Sequence, residues 1–298
     1  MQWIKRISLF LLTNFLVLVT ISISFNLITH FLGWDQFSAY YQTTLLLCAM
    51  FGFGGAFISL FISKWMAKSA YGVQIIPENT NNPELRFLLS TTHRLAQAAG
   101  LKVLPEVGIY ESPDINAFAT GPSRNNSLVA VSSGLLSKMS HSEVEGVLGH
   151  EIAHIANGDM VTMTLIQGVV NTFVMFLARI VASVIADNVE ERNRYWVRWA
   201  AVMVLDILFS LLGSILVNYF SRRREYRADA GGATFAGREK MIAGLRRLQS
   251  QFEMIEPDDS GMATMKISNR STGLAALFST HPSLDDRIHR LEQMVVMR

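Results

Sequence analysis

Four long apolar runs alternate with more polar stretches along the chain. They cover residues 7–29, 43–63, 162–186 and 199–220. Because a helix rises about 1.5 Å per residue, each run is long enough to cross the roughly 30 Å core of a bilayer. The pattern predicts four transmembrane helices attached to a soluble domain. The predicted parts are an N-terminal hairpin at 1–66, a second hairpin at 161–220, and a catalytic-type domain made from residues 67–160 and 221–298.

The third and fourth runs each carry one charge, Arg179 and Asp206. Both lie equally far in sequence from the middle of the connecting segment, "DNVEERNRYWVR". In an antiparallel hairpin they would lie at nearly the same depth, where opposite charges can pair. We therefore expect an Arg179–Asp206 contact in a hairpin that spans the membrane. Helices that lie in the membrane plane, insert partly, or are buried in a soluble core are the alternatives.

The connection between the third and fourth runs is mixed, with three acidic and three basic residues, but the other basic side chains that flank the four runs lie on one side. They are Lys5, Arg6, Lys64, Lys68, Arg222, Arg223, Arg224 and Arg227, whereas residues 30–42 contain no lysine or arginine. Because short cytoplasmic segments are enriched in lysine and arginine, this distribution predicts that both termini and the polar domain face the cytoplasm.

The polar stretches predict a mainly helical domain with a small sheet, so the fold class is an α+β membrane protein. "PEVGIYES", "NAFATG" and "NSLVAV" are short β-like runs separated by turn residues. Ser140 followed by Glu143 is a capping-box pattern, and it begins a helix through "SEVEGVLGHEIAHIAN". Residues 256–272 are polar and unperiodic, which predicts a loop.

The composition agrees with a membrane protein. Apolar residues make up 50% of the 298 positions and charged residues 17%, against roughly 25% in soluble domains. A net charge of +2 gives no indication of nucleic-acid binding. The single cysteine, Cys48, excludes a disulfide framework within one chain. The length of the first apolar run favours a retained helix over a cleaved signal peptide.

The segment "GHEIAHIANGD" contains candidate residues for metal binding and catalysis. His150 and His154 are four residues apart, so both imidazoles leave one face of the helix and can bind the same zinc ion. Glu151 is rotated away from His150 by about 100°, where it can take a proton from a water activated by the metal. The alternative is an amphipathic helix with polar residues on its exposed face.

A catalytic zinc needs a third protein ligand, and no residue soon after His154 has a suitable spacing. The best candidate is Glu225 in "EYRAD", because an antiparallel hairpin between it and His154 would return the chain to the same place. Asp229, one turn later, could accept the N–H of a ligating histidine. A surface glutamate that pairs with Arg222 or Arg224 is the alternative for Glu225.

"HEIAH" and "EYRAD" flanked by apolar hairpins, with "NAFATG" upstream and "THP" downstream, resemble the HtpX membrane zinc metalloproteases. These are bacterial heat-shock relatives of the Ste24/CAAX prenyl endopeptidases. The resemblance implies a gluzincin-type fold, one zinc ion per chain, and a stress-response endopeptidase of the inner membrane. It implies misfolded membrane proteins or unfolded polypeptides as substrates. It matches His150, His154 and Glu225 to the zinc ligands. It matches Glu151 to the general base and Asp229 to the residue that supports a ligating histidine.

Two further segments have open roles. "NAFATG" resembles the edge strand that holds the substrate backbone in related zinc peptidases, so Asn116, Ala117 and Phe118 could pair with an extended peptide. A plain edge strand facing the core is the alternative. His281 in "THP" could stabilise the oxyanion or could only order its loop, and the same choice holds for Arg287.

Two other functions compete with this interpretation. A prenyl-peptide protease of narrow specificity is disfavoured, since four spans are too few for a large chamber within the membrane. A non-catalytic membrane scaffold that binds metal is disfavoured by Glu151, which binding alone would not require.

Overall fold

The computed structural model describes residues 35–255 and 275–294, together with residue 23. The first predicted span, apart from that one residue, and the loop predicted at 256–272 therefore lie outside the described residues. The chain divides into two compact units. One contains Met1–Phe57 and Leu165–Gly213, and the other contains Ile58–Thr164 and Ser214–Arg298.

The protein is mainly helical with one small sheet. In chain order, its described elements are α1 (Asp35–Tyr71), β1 (Gln74–Ile75), α2 (Pro83–Ala98), β2 (Glu106–Tyr110), β3 (Ala117–Ser123), β4 (Asn126–Ser132), α3 (Ser133–Lys138), α4 (His141–Asn157), α5 (Asp159–Asp187), α6 (Glu191–Ala236), α7 (Arg238–Ile255), α8 (Ala275–Phe278) and α9 (Leu284–Gln293).

Three helices of the described part are long and apolar enough to cross a membrane, by length and composition: α1 from Tyr40 onwards, α5 and α6. Helix α6 continues without a break for 46 residues, so the fourth apolar run and "EYRAD" belong to one helix. The predicted boundaries after residues 66, 160 and 220 fall inside continuous helices and not in linkers. A helix that keeps its backbone hydrogen bonds needs no break where its surroundings change from apolar to polar.

The two charges of the second hairpin meet in the first unit. Arg179 Nη1 lies 3.7 Å from Asp206 Oδ1, which confirms the predicted contact. The chain turns at residues 188–190, a few residues before the predicted centre of the connection. Close packing of the helices sets the register instead, since a Cβ on Gly213 would lie 2.7 Å from Val170 Cγ1.

Removing one member of this pair is expected to destabilise the protein more than removing both. Arg179→Leu leaves an uncompensated carboxylate at Asp206, whereas adding Asp206→Leu leaves no charge at either position. We expect a coupling of about 1 kcal/mol in a double-mutant cycle of unfolding in detergent. Additive effects of the two substitutions would show that the contact contributes nothing to stability.

A four-stranded sheet in the order β1-β2-β4-β3 forms one layer of the second unit. β2 and β4 are parallel, whereas β1 pairs antiparallel with β2 and β3 pairs antiparallel with β4. The three β-like runs of the sequence correspond to β2, β3 and β4, so the small sheet is confirmed. Its order places β3 at an edge.

Helix α4 packs on this sheet and begins where the sequence predicts. The capping box is present, because Glu143 N donates to Ser140 Oγ at 3.4 Å and Ser140 N donates to Glu143 Oε2 at 2.7 Å. Leu148 and Ile152 of α4 are buried in the same core as Val129 of β4. The apolar face of α4 is thus fixed against the sheet, which fixes the direction of its histidines.

Candidate metal centre

Helix α4 presents His150 and His154 from one face, as their spacing requires. The helix ends at Gly158, whose φ of 70° and ψ of 34° lie in the left-handed region that glycine adopts without strain. Asp159 follows as the first residue of α5. This corner turns the chain so that the side chain of Asp159 reaches back to His154.

Two imidazole nitrogens and a carboxylate converge at one point. His150 Nε2 and His154 Nε2 are 3.0 Å apart. Glu225 of α6 places Oε2 3.4 Å from His150 Nε2 and Oε1 3.4 Å from His154 Nε2. One ligand atom from each residue can be chosen so that all three lie within 4.8 Å of one another. The three residues that the sequence analysis selected as ligands therefore come together.

Glycines allow α6 to approach α4 this closely. A Cβ on Gly232 would lie 2.9 Å from the backbone nitrogen of His150. A Cβ on Gly149 would lie 3.1 Å from the carbonyl oxygen of Gly232. A larger residue at either position would push the helix that carries Glu225 away from the histidines.

The Nδ1 atoms of both histidines, which face away from the point where the Nε2 atoms converge, also have partners. His150 Nδ1 lies 2.9 Å from Oδ1 of Asp229, the residue proposed for this position from the sequence. His154 Nδ1 lies 2.7 Å from Asp159 Oδ2. When Nδ1–H is donated to a carboxylate, the ring presents an unprotonated Nε2 on its other side, which is the form that binds metal. Asp159 was missed in the sequence, although the Gly-Asp pair directly after the histidine helix could have indicated it.

Arg287 of α9 holds Asp229 in place. Its Nε and Nη2 donate to the two oxygens of Asp229 at 2.8 and 2.6 Å. The guanidinium is buried, and its Nη1 lies 3.9 Å from Glu225 Oε2. This bidentate contact orders the carboxylate behind His150, which is a role other than the two that the sequence left open for Arg287.

The centre concentrates buried charge. In the described part of the chain, the buried carboxylate and guanidinium side chains all belong to it: Glu151, Asp159, Glu225, Asp229 and Arg287. Four buried carboxylates face the buried guanidinium of Arg287 and the partly exposed one of Arg224, which lies 3.5 Å from Glu225, so negative groups outnumber the arginines and the centre favours a cation. Burial alone would lower the pKa of His150, but the carboxylates of Asp229 and Glu225 raise it to about 9. Burial would raise the pKa of Glu225, yet the neighbouring imidazoles of His150 and His281 hold it well below its usual value.

The residues present fit a divalent metal ion. Glu225 is 1% exposed, and neither of its carboxylate oxygens receives a hydrogen bond from the described residues. A buried carboxylate without donors is costly unless a cation completes its surroundings. Two imidazole nitrogens and one carboxylate oxygen are a donor set of catalytic zinc sites, in which a fourth position stays open.

Comparison with known proteins identifies the family. Residues 83–295 match Peptidase family M48. Protease HtpX of Aeromonas hydrophila is 51% identical over 294 residues, which cover 96% of this chain and 99% of that protein. The protease HtpX homolog of Bacillus licheniformis is 49% identical over 298 residues, which cover 97% of this chain and 99% of that protein. This chain belongs to the HtpX proteases of peptidase family M48.

A solved structure supports the fold of this HtpX-family protein. The crystal structure of S. mikatae Ste24p matches with a TM-score of 0.62 and 18% sequence identity. The match covers 95% of this chain, and it spans 66% of the length of Ste24p. The resemblance drawn from the sequence motifs is confirmed, and the protein is a membrane metalloprotease by family.

The other candidates of the HtpX-family site lie around the same centre. Glu151 follows His150 on α4 and is buried. Although burial lowers the pKa of Arg287, the surrounding carboxylates, Glu151 among them, raise it above its usual value. His281 Nδ1 lies 3.0 Å from Glu225 Oε2, and 59% of the His281 side chain is exposed. His281 thus contacts Glu225 from the side of the centre that is exposed to solvent.

The segment before His281 is hydrogen-bonded to α6, the helix that carries Glu225. Asn218 Nδ2 donates to the carbonyl oxygen of Phe278 at 3.0 Å. Arg222 Nη1 donates to the carbonyl oxygen of Ser279 at 2.7 Å. The position of His281 therefore depends on α6, and the sequence, which separates these residues widely, gave no signal for it.

The predicted substrate strand lies at the sheet edge of this HtpX-family fold. Ala117 pairs with Val131 of β4, and Asn116 directly precedes the strand. The Phe118 ring packs 5.4 Å from the ring of Tyr71 and belongs to a cluster on one face of the sheet. Ala117 packs against the core that includes α4. The edge-strand position is thus observed for Ala117 and Phe118, whereas Asn116 lies just before the strand. The side chain of Phe118 packs within the protein.

Replacing Asp159 with asparagine is expected to weaken zinc binding by roughly 10- to 100-fold, because His154 loses the carboxylate that orients it. The measurement is a competition titration with a zinc chelator. Asp187→Asn, an exposed position at the other end of α5, is the matched control and should bind zinc as the unaltered protein does. Equal affinities of the two variants would mean that Asp159 does not support the ligand.

Proposed function

We propose that this protein is a zinc-dependent endopeptidase of the bacterial inner membrane. It hydrolyses peptide bonds of misfolded or damaged membrane proteins on the cytoplasmic side, as part of quality control during envelope stress. The observation that carries the proposal is the convergence of His150, His154 and Glu225, with Glu151 beside them on α4. The fold is then of the gluzincin type, in which a glutamate from a separate segment is the third ligand.

In this mechanism a bound zinc ion would acidify a water molecule and polarise the carbonyl group of the peptide. Glu151 accepts the proton of the attacking water and then delivers it to the leaving amine. Asp229 and Asp159 hold the two imidazoles in the tautomer that leaves Nε2 unprotonated. Their burial excludes water that would compete for the Nδ1–H groups.

The substrate is proposed to bind as an extended strand along the edge of β3. The edge position of Ala117 and the packing of the sheet against α4 support this arrangement. A strand added at an edge is held mainly through backbone hydrogen bonds, so sequence preference is broad. Broad preference suits unfolded polypeptides. Asn116, Ala117 and Phe118 are the residues proposed for this contact.

The membrane arrangement is proposed from the distribution of basic residues. Four spans, with the first at residues 7–29, place both termini and the centre on the cytoplasmic side. Lys64 and Lys68 at the end of α1 contact Glu106 at 2.9 and 2.6 Å, so part of this positive charge is also structural. The other basic residues near a predicted span, at positions 222–227, follow the fourth apolar run.

His281 is proposed to stabilise the oxyanion that forms on the substrate. Its exposed ring, 3.0 Å from Glu225, supports this role over one in loop ordering alone. His281→Ala is expected to lower kcat roughly 100-fold, because an oxyanion donor contributes about 3 kcal/mol. Zinc affinity should stay within a few-fold of that of the unaltered protein. An intact kcat in steady-state peptide cleavage would leave His281 with loop ordering only.

The proposed activity is tested by cleavage of casein, an unfolded protein, in detergent. We expect fragments with added zinc, none after treatment with a chelator, and recovery when zinc is restored. A folded, protease-resistant protein of similar size is the control and should stay intact. Absence of cleavage by a protein that binds one zinc per chain would favour a non-catalytic metal-binding scaffold, and cleavage restricted to prenylated peptides would favour the narrow protease.

A further inference from the structure

Two exposed arginines lie over tyrosine rings, with a third exposed arginine nearby in the sequence, at the point where the apolar part of α6 ends. Arg223 Cζ lies 5.3 Å from the ring centroid of Tyr219, and Arg290 Cζ of α9 lies 3.8 Å from that of Tyr226. Arg227 lies one turn beyond Arg223 and is also exposed. We name these five residues the Arg–Tyr patch.

The arginines of the patch have no acidic partner in the described part of the chain. No carboxylate of residues 35–255 or 275–294 lies within 4.0 Å of the guanidinium groups of Arg223, Arg227 or Arg290. This includes Asp286, which precedes Arg290 by one turn on α9. A nearby arginine outside the patch differs, because Arg224 Nε lies 3.5 Å from Glu225 Oε1.

Stacking on tyrosine leaves the hydrogen-bonding edge of a guanidinium accessible. The ring covers the flat face of the group, and the N–H donors point outward in its plane. Such a fork fits two oxygens of a phosphate at once, with parallel charge-assisted hydrogen bonds. The stacking also restricts the side chain before an anion arrives, so less conformational entropy is lost on binding.

The place of the patch along α6 indicates the source of the phosphate. The fourth apolar run ends at Phe220, so Arg223 and Arg227 lie about 4.5 and 10.5 Å further along the helix axis. Tyr219 and Phe220 are 44% and 39% exposed, and exposed aromatic rings of this kind mark membrane interfaces. These distances correspond to the headgroup layer next to the hydrocarbon core.

We propose that the Arg–Tyr patch binds the phosphate of an anionic phospholipid. The inference rests on the proposed membrane placement of α6, and it does not depend on peptidase activity. An acidic polypeptide is a weaker candidate, because the patch follows directly on an apolar run. A nucleic acid is disfavoured by a net charge of only +2 for the whole chain.

The test is a titration of the full-length protein in neutral detergent with short-chain phosphatidylglycerol or phosphatidylcholine. Bound lipid is counted by native mass spectrometry, and the Tm is followed in parallel. We expect phosphatidylglycerol to bind and raise the Tm, with phosphatidylcholine much weaker. Because a surface arginine contributes about fivefold to affinity for anionic lipid, the double variant Arg223→Gln/Arg227→Gln should bind phosphatidylglycerol roughly 25-fold more weakly.

A matched variant and two competing anions complete the experiment. Arg246→Gln removes an exposed arginine of α7 that pairs with Glu292 at 2.8 Å outside the patch, and it should leave lipid binding unchanged. Zinc content of each variant shows that the fold is intact. Unchanged phosphatidylglycerol binding by the double variant overturns the proposal. So does equal stabilisation by inorganic phosphate, which would mean a site for the free ion, or by polyglutamate, which would mean an acidic polypeptide.

Discussion

Glu151→Gln is expected to reduce peptide cleavage by roughly 10²- to 10⁴-fold, the contribution of a positioned general acid and base. Glutamine keeps the size and the buried position of the side chain but cannot accept the proton of the attacking water. The ligand residues are untouched, so the variant should still bind one zinc per chain. Steady-state cleavage of an unfolded protein and zinc content are measured on the same preparation.

The control for this variant comes from the same helix. Glu145 pairs with Arg94 at 2.6 Å and with Lys240 at 2.8 Å, away from the centre. Glu145→Gln should therefore retain cleavage and lose only some stability. Cleavage by Glu151→Gln at the rate of the unaltered protein would remove the proposed mechanism, because no other step in it replaces this proton acceptor.

Glu225→Gln is expected to abolish both activity and tight zinc binding. The two imidazoles remain, but the third ligand loses its charge. The loss should exceed the roughly 100-fold effect expected for residues that only support a ligand. In a chelator competition the variant should therefore release zinc before Asp159→Asn does. A variant that holds zinc as tightly as the unaltered protein would exclude Glu225 as the ligand.

A difference in stability separates this result from simple misfolding. Zinc should raise the Tm of the unaltered protein, because the ion binds the folded state preferentially. The Tm of Glu225→Gln should not respond to zinc, yet the variant should still unfold in one cooperative transition, which a misfolded protein would not show. Glu239→Gln, with a side chain 81% exposed, should behave as the unaltered protein in both measurements.

The parts of the site that follow from local patterns are readable in the sequence. A spacing of four residues on a helix places His150 and His154 on one face, and the capping box at Ser140 shows where that helix begins. The hairpin argument also selected Glu225, because antiparallel helices must return the chain near its starting point. Arg179 and Asp206 also meet as predicted, although helix packing sets their register and the centre of the connection does not.

Two contacts that depend on how helices pack could not be predicted from the sequence. Asp159 reaches His154 only because Gly158 ends α4 in a left-handed conformation and α5 begins at once. Arg287 reaches Asp229 across a long stretch of chain, through the packing of α9 against its neighbours. Neither contact leaves a periodic signal, since each joins side chains from separately packed helices.

The sequence by itself determined the long apolar helices of the described part, the small sheet, the histidine helix and the glutamate that converges with the two histidines. Helix period, span length and cap chemistry act between near neighbours, so their effects are visible in the order of residues. Tertiary structure alone decided that Asp159 stands behind His154 and that one unbroken helix carries both an apolar run and Glu225. The reason is that these outcomes depend on distances between packed surfaces, such as the close approach at Gly232, and such distances have no fixed separation along the chain.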